Sequence, residues 1–183
     1  MRGTPMELKQ TAADIALGLI GGYVGTKAMA PVSMKLYDLE SEQARAQEDK
    51  VRPGPPYEIA ARKTTELLGL HLSDKQVEMV GTLGFHYGIG MSWGVVYQVL
   101  RRTTRLPAPA AGLLMGAAMS LIVDEGMTPL LGFSAPNRDY PLVTHLRGVV
   151  AHLVYGLGTA AAAEAIGAIG RNGSHRYRCS DKE

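Results

Sequence analysis

Several titratable side chains lie within, or at the start of, stretches of sequence that are otherwise apolar. These residues are Lys27, His86, Asp124, Glu125, His145, Arg147, His152 and Glu164. An ionisable group at membrane depth is energetically costly, so each of them is a candidate for a functional role. Carboxylates and imidazoles, whose unperturbed pKa values are ~4 and ~6.5, can pass protons when burial shifts those pKa values toward neutrality. These residue types therefore indicate the handling of protons or ions.

The stretches that carry these residues are long enough to cross a bilayer. Residues 79–100 and 106–123 contain no Asp, Glu, Lys or Arg. Residues 15–34 contain one such residue, Lys27, and residues 148–170 contain one, Glu164. About 20 apolar residues in a helix cross a hydrocarbon layer ~30 Å thick. The pattern predicts an all-α integral membrane bundle of four transmembrane helices, at residues 12–37, 79–100, 108–132 and 142–170. The second segment is the strongest indication, because it has too few polar positions for a water-facing stripe.

A polar segment, residues 38–78, separates the first two predicted helices. Its first part is predicted to continue the first helix as far as the prolines at 53–56. Helical spacing of apolar residues predicts a second short helix after them, and Ser73 to Gln76 fits a capping box. We predict that this segment is an amphipathic cap on the membrane surface. Residues 1–170 then form a single membrane domain, and residues 171–183 form a polar C-terminal tail.

Glycine is abundant, at 22 of 183 residues, and recurs four residues apart in the predicted helices. The pairs are Gly18/Gly22, Gly21/Gly25, Gly84/Gly88, Gly90/Gly94 and Gly112/Gly116. Small residues at this spacing let helices approach closely in a bilayer, where packing drives association. The predicted partners are therefore the lipid bilayer and, through glycine-rich helix faces, a second copy of the chain or a larger membrane complex.

Depth along the helices places the candidate side chains together. Lys27 and His86 lie ~15 Å and ~10 Å from the outer ends of their predicted helices. Asp124 lies in the last third of the outward-running third helix, and His152 lies in the outer part of the inward-running fourth. All four helices thus bring a polar group into the same half of the bilayer, whereas Glu164 lies apart, nearer the cytoplasmic side.

Two interpretations of this cluster remain open at this point. In the structural one, a carboxylate pairs with Lys27 or Arg147 and the histidines are hydrogen-bonded packing residues, since buried charges are tolerated when they are paired. In the functional one, the two carboxylates carry charge, His86 and His152 relay protons, and the same two cations tune the carboxylates. We expect the protein to handle protons or ions, and its alternative role is that of an accessory or scaffolding subunit.

A membrane metal or haem site is a third interpretation. Imidazole and carboxylate groups bind zinc, iron and manganese. The ligands would come from His86, Asp124, Glu125, His145 and His152. Adjacent helical residues point ~100° apart, however, so the two neighbouring carboxylates are poorly placed to share one ligand face. The sequence has no His-Glu-x-x-His motif, and no cofactor is predicted.

Composition excludes several other classes of protein. Lys plus Arg number 19 and Asp plus Glu 17, a near-balance that argues against nucleic-acid binding. The single cysteine, Cys179, excludes an internal disulfide and a four-cysteine zinc site. Without a Gly-x-Ser-x-Gly motif or a phosphate-binding loop, an enzymatic activity is not predicted. The arginines at 101–105, directly after a predicted span, favour cytoplasmic termini by the positive-inside rule.

Two stretches of the sequence resemble a known family. Residues 123–132, VDEGMTPLLG, and 145–156, HLRGVVAHLVYG, are similar to bacterial inner-membrane proteins of the YagU-like group, a domain of unknown function. The resemblance extends over about residues 12–168, and includes residues 22–27, 37–49 and 57–69. It departs from the family's Gly-His pattern where Ala151 precedes His152. It implies a small multi-span protein of the bacterial cytoplasmic membrane, loosely linked to acid tolerance, and it supplies no catalytic residues.

Overall fold

A computed structural model describes residues 5–180 of the chain, and the side chains of residues 10–170. Within that part every regular element is helical, and four long helices dominate. The first is α1 (Pro5–Asp38). The second joins α4 (Asp74–Val80), a first π segment (Gly81–Tyr87) and α5 (Gly88–Thr103). The third joins α6 (Ala108–Met119), a second π segment (Ser120–Met127) and α7 (Thr128–Leu130), and the fourth is α8 (Leu142–Ser180).

Three of the long helices are long and apolar enough to cross a membrane. They are Gln10–Asp38, Ala108–Leu130 and Leu142–Gly170. Only 28%, 33% and 39% of their most apolar windows are buried inside the protein, so most of this surface faces outward, as contact with lipid requires. The second long helix is not among the three, although residues 79–100 are the strongest indication of a span in the sequence. Polar residues such as His86 and Gln98 lower its mean hydropathy. The four-span bundle therefore stays a prediction.

Close backbone contacts at glycine hold the long helices together. Between α1 and α5, a Cβ atom on Gly18 would lie 2.8 Å from the Gly94 carbonyl oxygen, and one on Gly94 would collide with Gly18 in return. Between α6 and α8, a Cβ atom on Gly112 would lie 2.5 Å from the Gly156 carbonyl oxygen. Since no real Cβ atom is tolerated at such distances, only glycine allows these helices to pack at this separation.

The predicted glycine pairs are therefore used mainly within the chain. Gly21 and Gly25 face Thr159 of α8 in the same way. Gly84 and Gly88, by contrast, have near neighbours only from their own helical turn among the described residues. Most of the paired glycines thus already contact another helix of the same chain. A glycine-mediated contact with a second copy or a larger complex stays a prediction.

The polar segment forms two short helices, α2 (Glu42–Val51) and α3 (Pro56–Leu67), which we call the cap. The expectation that residues 38–50 extend the first helix is wrong: α1 ends at Asp38, and the Ser41 hydroxyl accepts from the Ala44 N–H to start α2. The physical reason is that serine at this position satisfies the free N–H groups of a new helix. The predicted capping box at Ser73 and Gln76 is confirmed.

The cap lies across one end of the bundle, which we call the cap end. The α3 backbone packs on the first π segment, where a Cβ atom on Gly81 would lie 2.9 Å from the Tyr57 carbonyl oxygen. The Lys63 Nζ atom donates to the carbonyl oxygens of Leu131 and Gly132, 3.2 Å and 2.8 Å away, after the end of α7. The cap is thereby joined to the ends of the second and third long helices.

The fourth long helix continues into the predicted C-terminal tail. The backbone of α8 is helical as far as Ser180. The side chains beyond residue 170, including that of Cys179, lie outside the described part of the structure, as do residues 1–4 and 181–183. A short 3-10 helix, Asn137–Asp139, connects the third long helix to α8 at the cap end.

A candidate site between the cap and the bundle

The second and third long helices both change to π geometry where they carry ionisable residues. The first π segment contains His86, and the second contains Asp124 and Glu125. Such π-helical turns are rare and occur frequently at functional sites. The Val123 carbonyl oxygen accepts from both the backbone N–H and the hydroxyl of Thr128, five residues later, and the hydroxyl oxygen lies 2.8 Å away. His86, Asp124 and Glu125 thus lie in the two irregular parts of helices that are otherwise regular.

A cavity of about 330 Å³ lies between these segments, α1, α8 and the cap. Along α1 it extends from Thr26 to Ser33, which is ~10 Å of helix at 1.5 Å per residue. Most of its lining is apolar, and methionine and aromatic side chains are prominent. They include Met29, Met119, Met127, Phe85 and Phe133. Its volume is at the lower end of the range of small-molecule sites, ~300–1,000 Å³.

Three of the predicted site residues, His86, Asp124 and His152, line this cavity. The His152 Nδ1 atom lies 3.5 Å from Asp124 Oδ2 and 2.9 Å from the Gly148 carbonyl oxygen. His152 is only 5% exposed, whereas 44% of the Asp124 side chain is accessible and forms cavity wall. The His86 ring lies 5.2 Å from the Tyr57 ring of the cap. The cavity therefore combines an accessible carboxylate with a buried imidazole.

The neighbouring carboxylate, Glu125, belongs to a separate pair. Its Oε1 atom lies 2.8 Å from His145 Nδ1, and His145 Nε2 lies 3.0 Å from the Asn137 carbonyl oxygen. The Asn137 amide in turn donates to the Glu125 carbonyl oxygen, 2.8 Å away. The two adjacent carboxylates thus have different histidine partners, in agreement with the ~100° between successive side chains of a helix.

Arg147 lies outside the cavity, in a buried cluster of charges between the cap and α8. Its guanidinium donates to Glu48 at 2.7 and 2.8 Å and also to Glu40, two acids whose side chains are 3% and 2% exposed. The Thr144 hydroxyl donates to Glu48, 2.8 Å away, and the Arg52 guanidinium lies 3.3 Å from the same side chain. This cluster, which we call the cap clamp, holds the first cap helix against the start of α8.

The sequence did not single out Glu40 and Glu48, because acids are ordinary in a polar segment. The signal that could have found them is Arg147, since a cation at the start of an apolar helix needs a carboxylate partner. Lys27 is also outside the cavity: its exposed Nζ atom lies 5.1 Å from the Tyr87 ring and 5.8 Å from the Tyr23 ring. The predicted pairing of Asp124 or Glu125 with Lys27 or Arg147 is therefore not the arrangement found.

At the end of the bundle away from the cap, which we call the closed end, the long helices pack around large buried side chains. Tyr97 and Met115 are buried there. The Tyr155 hydroxyl donates to the carbonyl oxygen of Gly90, a residue of the cavity lining. Glu164 lies apart from the cluster, as predicted, and accepts from Arg101 at 2.8 Å. That hydrogen bond raises the pKa of the Arg101 guanidinium.

The described side chains contain no group of three His, Cys, Asp or Glu residues that could hold a metal ion. The five residues that were candidate ligands instead divide into two acid–histidine pairs and the separate His86. Comparisons with models of known protein families, with curated proteins and with solved structures find no match to this chain.

Proposed function

We propose that this chain is a small integral membrane protein that takes up and releases protons, or binds a cation, in the cavity beneath its cap. The observation that carries the proposal is the Asp124 carboxylate, which lines the cavity and lies 3.5 Å from the buried imidazole of His152. A carboxylate beside an imidazole forms a pair that can pass a proton between its members.

Each residue of the cluster has a separate role in this proposal. Asp124 exchanges the proton or cation with the cavity, and His152 and His86 relay it along the wall. Glu125 and His145 form a supporting pair that holds the second π segment against α8. Lys27 and Arg147 do not line the cavity, and Arg147 fixes the cap instead.

The cellular setting is part of the proposal and rests on the sequence. Three apolar helices support a membrane location. The YagU-like resemblance supports the bacterial inner membrane and a role in acid tolerance, and the arginines at 101–105 support cytoplasmic termini. A scaffolding role is less favoured, because most of the glycine pairs on which it depends already pack inside the chain.

Infrared difference spectroscopy across a pH titration of the detergent-purified protein tests the proposal. We expect the C=O band of the protonated carboxyl groups to contain a component that is missing in Asp124→Asn and whose midpoint changes in His152→Gln. The matched control is Asp74→Asn, which removes a carboxylate that is 94% exposed at the start of α4 and should leave that component intact. An unchanged band in Asp124→Asn would contradict the proposal.

A further inference from the structure

The polar atoms on the inner wall of the cavity are mainly hydrogen-bond acceptors. The Thr26 hydroxyl gives its proton to the Gly22 carbonyl oxygen at 2.9 Å, and Thr128 gives its proton to Val123. His152 directs Nδ1 at the Gly148 carbonyl oxygen, which places a proton on that nitrogen, so that the neutral form of the ring carries its lone pair on Nε2. The Asp124 side chain, which is 44% exposed, offers a negative charge and lone pairs to the cavity, whereas Thr26 and His152 line it with only 2% and 5% of their surface exposed.

The donors in the lining lie elsewhere. The Arg52 guanidinium directs an N–H group toward Glu48 of the cap clamp, 3.3 Å away. Ser33, Arg52 and Tyr57 lie at the cap end of the cavity, and hydroxyl groups can accept as well as donate. The cavity is thus polarised: an acceptor-rich inner wall faces an outer region that contains the donors.

The remaining wall suits the body of an organic molecule. Methionine sulfurs and aromatic rings line it, and both interact favourably with apolar groups, while aromatic faces also attract cations. A bare metal ion would need several oxygen ligands around it, and about 330 Å³ of largely apolar space does not provide them. The volume and lining instead fit a small organic molecule that carries several N–H donors.

We infer that the cavity binds a small organic ammonium ion, a protonated primary amine with a short apolar or aromatic body. Its N–H groups donate to Asp124, His152 and Thr26, and its body lies among the methionines and phenylalanines. It enters at the cap end, beside Arg52 and Ser33. The inference rests on the proposed function in that Asp124 carries the exchangeable charge. Where Asp124 is protonated, the ammonium ion replaces that proton, which leaves to solvent.

Isothermal titration calorimetry of the purified protein tests this inference with a matched pair of probes, 2-phenylethylammonium and 2-phenylethanol. The two have similar bodies, but only the first carries an ammonium group. We expect the ammonium ion to bind about tenfold more tightly or better, because hydrogen bonds to a charged carboxylate are among the strongest. Equal affinity for the two probes, or no binding of the ammonium ion, overturns the inference without the use of any variant.

Variants then assign the preference to the cavity. Asp124→Asn should abolish the preference for the ammonium ion, and Asp74→Asn should retain it. Thr26→Val keeps the shape of the side chain and removes one acceptor, so it should weaken ammonium binding by a smaller factor. A preference that survives in folded Asp124→Asn overturns the assignment to this cavity.

The two proposals can fail separately. Titrations in buffers of different ionisation enthalpy measure the protons released on binding, and we expect a release that depends on Asp124. If the carboxyl band of Asp124 titrates but the two probes bind equally, the ammonium inference is wrong and the proposed function stands. If the ammonium ion binds selectively but the carboxyl band is absent at every pH, the proton proposal is wrong and the site is a receptor for organic cations.

Discussion

The two ends of the bundle are built from the same four long helices but differ in how closely these helices approach. At the closed end, glycine pairs bring helix backbones into contact, and large side chains such as Tyr97 and Met115 are fully packed. At the cap end, the helices diverge around a cavity lined by methionine and aromatic side chains. Both π segments lie in this wider half. Close glycine contacts thus occur along the whole bundle, and the cap end differs in that its helices also enclose a cavity.

The cap clamp should be the most sensitive point of the wide half. Arg147→Ala leaves the buried Glu40 without its cation and Glu48 with only the partly exposed Arg52, and removal of one partner of a buried ion pair costs about 3–5 kcal/mol. We expect the free energy of unfolding in detergent to fall by that amount. The control Arg62→Ala breaks an exposed pair, for which about 1 kcal/mol or less is expected. Similar losses for the two variants would show that the clamp does not secure the cap.

The glycine contacts of the closed end are the next test. Gly94→Ala places a methyl group against the Gly18 backbone, so α1 and α5 must move apart. Overpacking of this kind costs about 1–3 kcal/mol. Thermal unfolding followed by circular dichroism should show a clear loss of stability. Gly148→Ala is the matched control, since a Cβ atom there meets nothing within 4 Å, and it should be neutral or stabilising.

Charges at the closed end should matter less than those of the clamp. Arg101 and Glu164 are 29% and 40% exposed, so solvent screens their pair. We expect Arg101→Gln to lower the free energy of unfolding by about 0.5–1 kcal/mol, well below the effect of Arg147→Ala. A loss as large as that of the clamp variant would mean that the two ends are held by equally important ion pairs.

The smallest expected effect is the alkaline titration of Tyr57 in the cap. Burial raises the pKa of this phenol above its usual value of 10.0. The folded state therefore holds the proton more tightly than the unfolded state, so this contribution to stability is present below pH 10.0 and is lost as the pH rises through the higher folded pKa. The melting temperature of the wild type should fall more steeply above that pH than the melting temperature of Tyr57→Phe. Parallel curves would contradict this.

Sequence reasoning succeeded where a single helix decides the outcome. Apolar length placed three membrane-length helices, and helical rise placed His86, Asp124 and His152 at a common depth. Sequence reasoning failed where the outcome depends on how a helix is rotated about its own axis. Lys27 points outward although its depth is suitable, because a helix that is apolar on all sides gives no signal of which face is buried.

The π segments and the cap clamp could not be derived from the sequence for a related reason. A π turn differs from an α turn by one residue of hydrogen-bond register, and no residue pattern in these two segments announces that difference. Glu40 and Glu48 are indistinguishable from other acids of residues 38–78 until α2 folds back onto α8. The ion-pair partners of Arg147, which are about 100 residues away in the sequence, could therefore be identified only from the three-dimensional structure.

The hydrogen bond from Tyr155 to the Gly90 carbonyl oxygen ties α8 to α5 beside the cavity, because Gly90 belongs to the cavity lining. Any shift of α8 along α5 would therefore break this bond or displace part of the lining. The relative position of these two helices and the shape of the cavity are thus set together.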